Sequence, residues 1–118
     1  MCSKAKASTS SPRQVSFLDH PALVGTARLV INVSPEEICE NRSDLCCVLE
    51  RSFDDLGAFD FLAFRIGDGV IGFRRHTNNS RQYSYVSSQG VPLENLRDVL
   101  QTLIGRSDFE VEELEGCW

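Results

Sequence analysis

The feature that most constrains the fold is the stretch 58–87, in which three apolar segments are separated by two turn signals. The segments are Phe59–Ile66, Val70–His76 and Gln82–Ser87. Their aromatic and β-branched residues are typical of strands. Asp68-Gly69 and Asn78-Asn79 lie between them, and such pairs tolerate the positive φ of a two-residue hairpin turn. The pattern predicts a three-stranded antiparallel meander.

These two turns predict a register for the meander and assign its side chains to two faces. The first turn places Ile66 opposite Ile71 and Phe64 opposite Phe73, and the second places Ile71 opposite Val86. Paired residues share a face because side chains alternate along a strand. One face, which we expect to lie in the core, collects Leu62, Phe64, Ile66, Ile71, Phe73 and Val86.

The opposite face mixes cations with aromatic rings around the side-chain-free position Gly72. It collects Phe59, Phe61, Ala63, Arg65, Gly72, Arg74, His76, Arg81, Tyr83 and Tyr85. We call it the basic-aromatic face. The residues expected to bind a partner are Phe59, Phe61, Arg65, Arg74, His76, Arg81, Tyr83 and Tyr85.

The segments on either side of the meander predict two strands and two amphipathic helices. Residues 28–33 alternate like a strand, and 109–114 alternate apolar residues with acids, which is typical of an edge strand. Ser34 is a helix N-cap with Pro35 after it, and apolar residues follow at helical spacing to Leu56. This helix is either continuous over 35–56 or broken in two at 41–44. A second helix is predicted over 92–104, with Gly105 at its end.

The predicted fold is therefore α+β, in the order strand, helix, three-strand meander, helix, strand. A mainly antiparallel sheet carries both helices on its core face, which makes a two-layer sandwich and leaves the basic-aromatic face uncovered. The 118 residues suit one domain. Residues 1–14 are Ser-rich, basic and free of acids, so they are expected to form a flexible arm before a domain spanning 15–118.

Composition and charge argue against several function classes. No run of 18 apolar residues is present, so no membrane span or membrane partner is expected. The net charge of −5 disfavours nonspecific binding to phosphate backbones. The five cysteines have no paired spacing and follow no secretory signal, which predicts free thiols in a cytoplasmic setting.

No pattern in the sequence indicates catalysis, a metal site or a cofactor. A cysteine nucleophile would need His20 or His76, and Cys46 is better explained as a small core residue. Cys39 and Cys46 lack the close spacing of metal ligands. We therefore expect neither an enzyme nor a metalloprotein.

The basic-aromatic face leads to three functional expectations. Arg and Tyr are enriched in protein interfaces, so the first expectation is a non-enzymatic adaptor, regulatory or chaperone-like domain that binds a protein partner or itself as a homodimer. Rings and cations also bind single-stranded nucleic acid, which is the second. A small enzyme or a domain that binds a small anion is the third.

Overall fold

The computed structural model describes residues 12–20, 23 and 27–114. The strands and helices are β1 (Arg13–Val15), β2 (Leu29–Ile31), α1 (Pro35–Asn41), β3 (Glu50–Asp54), β4 (Gly57–Ile66), β5 (Gly69–His76), β6 (Ser84–Gln89), α2 (Leu93–Ile104) and β7 (Val111–Glu113). Short 3-10 turns lie at Phe17–Asp19 and Ser43–Leu45. None of the helices in these ranges is long and apolar enough to cross a membrane.

The strands form one seven-stranded sheet in the order β1-β4-β5-β6-β2-β7, and β3 also pairs with β4. Every pairing is antiparallel. The outer edge of β4 is shared, because β3 pairs with its first half at 57–61 and β1 pairs with its second half at 63–65. The α+β class with a mainly antiparallel sheet is therefore confirmed.

The main core joins one face of the meander to both helices. It contains the predicted face residues Leu62, Phe64, Ile71, Phe73 and Val86, all fully buried, with Ile66 packed at its margin. Ile38 of α1 and Leu96, Leu100, Leu103 and Ile104 of α2 belong to the same cluster. Leu29, Ile31 and Val33 add the apolar side of β2 and the residues after it. The predicted core face of the sheet is confirmed.

The first hairpin has a register two residues away from the predicted one. Phe64 pairs with Ile71 and Leu62 with Phe73, because the turn is Gly67-Asp68 rather than Asp68-Gly69. Gly67 adopts a positive φ of 59°, and glycine at the first central position is typical of a type II′ turn. A shift of two residues leaves every side chain on its predicted face.

The second hairpin is also shifted by two residues, and its connection is longer than predicted. Phe73 pairs with Val86, and β6 begins at Ser84, so residues 77–83 form a loop in place of the two-residue Asn78-Asn79 turn. Arg75 holds this loop by donating hydrogen bonds of 2.7 Å to the carbonyl oxygens of Asn79 and Arg81.

The predicted helix over 35–56 is wrong beyond residue 41. Its start is confirmed, since Ser34 Oγ accepts the Glu37 amide at 3.1 Å and Pro35 occupies the first turn. The helix ends at Arg42, a 3-10 turn follows, and the chain then becomes β3. The apolar spacing after residue 45 resembles a helical stripe, but pairing with the open edge of β4 outweighs that local preference.

Part of the basic-aromatic face is buried, so the prediction that this face is left uncovered is wrong. Phe59, Phe61 and Ala63 are buried in a second core with Val70 and Leu23. Val15 of β1 packs against this cluster. We call residues 12–20 and 23 the N-terminal segment. This segment covers part of the face that lies opposite the main core.

The predicted arm and the observed first strand overlap. Arg13 and Gln14 belong to β1, where Arg13 pairs with Arg65 and Gln14 with Phe64. The remainder of the predicted arm, residues 1–11, lies outside the described residues.

We expect truncation of a main-core side chain to destabilise the protein strongly. Phe64→Ala or Leu100→Ala should lower the free energy of unfolding by about 2–5 kcal/mol, because each side chain is fully buried and leaves a cavity. Leu56→Ala is the control, since Leu56 is exposed and its loss should change stability by about 0.5 kcal/mol or less. Chemical denaturation measures all three, and an unchanged Phe64→Ala midpoint would contradict the core assignment.

A second prediction tests the covered face. A Cβ atom at Gly72 would lie 2.8 Å from Phe61 Cζ and 3.3 Å from Leu23 Cδ1. Gly72→Ala should therefore cost about 1–3 kcal/mol through overpacking. Combining it with Phe61→Leu should remove the clash and make the two changes less than additive in a double-mutant cycle. A Gly72→Ala protein as stable as the wild type would show that the face is not packed.

Candidate functional site

The structure divides the eight predicted binding residues into a buried pair and a set that still reaches the surface. Phe59 is 1% exposed and Phe61 is fully buried, so neither can contact a partner in this fold. Arg65 lies beside the N-terminal segment, where its Nη2 is 3.4 Å from His20 Nε2. The remaining residues form one region at the other end of the sheet: Arg74, His76, Arg81, Tyr83 and Tyr85.

Arg74 is the least satisfied polar group in that region. Its guanidinium packs over the Phe59 ring at 5.9 Å, and its Nε atom is buried without a hydrogen-bond partner among the described residues. Burial lowers the pKa of Arg74, although the nearby Asp54 carboxylate acts in the opposite direction. A half-buried cation of this kind favours an electronegative neighbour.

His76 links this region to the end of β3. Its Nε2 atom lies 2.9 Å from Asp54 Oδ1 and 3.0 Å from Oδ2, and its ring meets Phe59 edge to face at 5.5 Å. The hydrogen bond with His76 lowers the pKa of Asp54, and the Leu56 amide, which donates to Asp54 at 2.8 Å, lowers it further. The Asp54–His76 contact therefore joins the β3–β4 turn to the end of β5.

Tyr83 and Tyr85 pack against each other edge to face, so the two rings do not form a flat surface for stacking. Their rings meet at 83° with centroids 5.3 Å apart, and their hydroxyl oxygens are 3.4 Å apart. This hydrogen bond and burial raise the pKa of Tyr85. Asn79 Nδ2 also donates to the Tyr83 hydroxyl. The pair is held edge to face by the loop between β5 and β6.

The surface beside this pair is acidic. A shallow groove runs from Arg81 and Tyr83 to the β2–β7 edge, where Glu110 and Glu112 line it. Phosphate groups entering from this side would meet two carboxylates, so the local charge does not favour a nucleic-acid backbone.

Sequence reasoning missed an exposed apolar end of the β3–β4 hairpin. Phe53 is 74% exposed and Leu56 is 70% exposed, whereas the helical spacing predicts both in an apolar stripe packed on the sheet. We call residues 53–56 the hairpin tip. Asn78 Nδ2 donates to the Leu56 carbonyl at 3.2 Å, so the tip lies next to the β5–β6 loop. The Asp-Asp-Leu-Gly run at 54–57 was the available signal, because Asp and Gly favour turns.

The hairpin tip begins at the end of an edge strand, β3, and includes the turn after it. In the described part of the chain, β3 pairs with β4 only, and its outer backbone edge carries no other strand. Before β3 the chain is held by Gln14, whose side-chain amide bonds both the amide and the carbonyl of Val48. An edge strand with large exposed apolar side chains is a template for another strand.

The structure describes three of the cysteines, Cys39, Cys46 and Cys47. Cys39 Sγ donates to the Cys47 carbonyl at 3.0 Å, and burial raises the pKa of both Cys39 and Cys47. Cys46 is exposed with a left-handed φ of 52°, so its assignment as a core residue is wrong. No group of three or more His, Cys, Asp or Glu side chains able to hold a metal ion occurs among residues 12–20, 23 and 27–114.

Comparison with known proteins adds no family to this geometry. No protein-family model, curated protein or solved structure matches the chain significantly. The functional argument therefore depends on the residues and contacts described above.

The contact between Asp54 and His76 predicts a measurable titration. Because the folded pKa of Asp54 is lowered, the interaction stabilises the fold above the pKa of an unfolded aspartate and is lost as pH falls through the folded value. His76→Phe keeps a ring against Phe59 but removes the hydrogen bond, so it should raise the Asp54 midpoint in a carboxyl-carbon NMR titration. An unchanged midpoint would mean that the bond does not form in solution.

Proposed function

We propose that this protein is a non-enzymatic protein-interaction domain that docks its partner at the hairpin tip and the outer edge of β3. The observation that carries the proposal is the exposure of Phe53 on the edge strand β3 and of Leu56 in the turn that follows it. Large apolar side chains left in water are costly unless a partner covers them, and an edge strand supplies unpaired backbone groups beside them.

The neighbouring polar residues suit a protein interface. His76 contacts Asp54 at the tip, and the half-buried Arg74 and the Tyr83–Tyr85 pair lie beyond it. Arginine and tyrosine are enriched in protein interfaces and among the residues that dominate binding energy. The proposed surface therefore keeps the exposed members of the basic-aromatic face and replaces Phe59 and Phe61 with Phe53 and Leu56 as the apolar anchors.

Single-stranded nucleic acid is the weaker candidate for this surface. Tyr83 and Tyr85 contact each other edge to face, which leaves less ring area for base stacking. Glu110 and Glu112 line the groove that Arg81 shares, and the whole chain carries a net charge of −5. These features oppose phosphate contact more than they oppose a protein partner.

The experiment is affinity capture with the full chain as bait, comparing the wild type with a Phe53→Asp, Leu56→Asp double variant. We expect every specifically retained protein, a second copy of the chain included, to be lost from the double variant. The reason is that two charges in the centre of an apolar contact would have to be desolvated on binding. Quantitative mass spectrometry measures the retained proteins.

The matched control is Leu18→Asp, which makes the same chemical change at a side chain that is 75% exposed near the N-terminal segment. It should retain the partners of the wild type. Equal retention by the double variant, or no specific retention by the wild type, would contradict the proposed function.

A further inference from the structure

We infer that the partner at the hairpin tip is a second copy of this chain, paired strand to strand through β3 about a two-fold axis at Phe53. This inference deepens the proposed function and rests on it. It is carried by the open outer edge of β3, by the exposure of Phe53 and by the order of charges along the strand.

The two edges of the sheet favour pairing of β3 with itself. A contact between β3 and the β7 edge would be heterologous, so it would lead to rings or open chains of molecules and not to a two-fold dimer. It would also bring the carboxylates of Glu112 and Glu113 towards those of Glu50 and Asp54. Pairing of β3 with β3 is closed and avoids the acidic edge.

Charge excludes most registers of such a pair. A two-fold axis normal to the sheet keeps each residue on its own face, so only residues an even number of positions apart lie opposite each other. An axis at Arg51 opposes two guanidinium groups, and an axis at Glu50 or Asp54 opposes two carboxylates. An axis at Ser52 places Glu50 of each copy opposite Asp54 of the other, which brings carboxylates together at two places. Like charges directly opposite each other are destabilising.

An axis at Phe53 is the register that brings opposite charges together. It places the two Phe53 side chains opposite each other and brings Arg51 of each copy towards Asp55 of the other, the first turn residue after β3. The Arg51 side chain is 57% exposed and uses Nε to bind Asp60 at 2.7 Å, so its terminal nitrogens can reach outward. Ser52 then faces Asp54, and its hydroxyl can donate to that carboxylate. Aromatic and opposite-charge cross-strand pairs are both favourable.

The first test traps the register with a disulfide. In a background with Cys2, Cys46 and Cys117 replaced by serine, Phe53→Cys places two thiols opposite each other. Cα atoms about 4.5–5.5 Å apart across a strand pair lie within the range that a disulfide needs. Mild oxidation should therefore give a covalent dimer on a non-reducing gel.

The matched control for trapping is Leu56→Cys in the same background. Leu56 is as exposed as Phe53 and lies on the same hairpin, but in this register its two copies are six residues out of alignment, or about 20 Å apart. It should cross-link far more slowly. Equal or faster cross-linking of Leu56→Cys would overturn the register.

The second test reverses one charge of the predicted pair. Asp55→Arg opposes two arginines at both ends of the pairing and should weaken dimerisation at least about tenfold in sedimentation or light-scattering titrations. Asp68→Arg is the control, because it makes the same charge change at an exposed position in the β4–β5 turn. It should leave the dimer unchanged, and equal weakening by both variants would contradict the predicted pair.

The outcomes separate this inference from the proposed function. A wild-type chain that remains monomeric across the micromolar range and gives no Phe53→Cys dimer overturns self-pairing. If capture then still retains a different protein in a manner that depends on Phe53 and Leu56, the proposed function stands without it. If no retention depends on the tip, both fail.

Discussion

The fold depends on the pairing of one long strand, β4, on both of its edges. Eight of its ten residues, 59–66, pair with β5 along one edge, and along the other edge residues 57–61 pair with β3 and residues 63–65 with β1. Its side chains also enter both cores, Leu62 and Phe64 on the helix side and Phe59 and Phe61 on the other. A strand buried on both faces carries apolar residues at successive positions, as 61–64 do here.

This double burial decides which surfaces remain for binding. The N-terminal segment closes the second face over Phe61 and Gly72, so the rings that looked available become part of the core. Exposed apolar side chains occur instead at Phe53 on β3 and at Leu56 in the turn after it, with Leu18 and Val48 exposed elsewhere. Phe53 is exposed because its strand continues the sheet past the helices, where the structure describes nothing packed against it.

Several polar side chains hold the structure together. Arg75 binds the carbonyl groups of the β5–β6 loop, and Arg51 covers the buried carboxylate of Asp60 at 2.7 Å. His76 is bound to Asp54, which fixes the β3–β4 turn against the end of β5. Arg74 is the exception, because its buried Nε has no partner among the described residues. The buried Arg74 Nε atom and the exposed side chains of Phe53 and Leu56 thus occur at the same end of the sheet.

The sequence by itself determined the meander, its two faces, the α2 helix, the Ser34 cap and the β2 and β7 strands. Each of these depends on side-chain period or on a local capping residue, and both can be read within one segment. The assignment of side chains to the two faces is correct although the predicted register is wrong, because a shift of two residues preserves the faces. The sequence did not determine β3, because the spacing of Leu45, Val48 and Leu49 matches a helical stripe and local preference gives way to backbone pairing with β4. It did not determine which side of the sheet Leu23 covers, nor that Phe53 remains in water. Leu23 reaches Phe61 and Gly72 across more than thirty residues, and β3 forms because β4 is already held in the sheet by β5, so only the tertiary structure decided these outcomes.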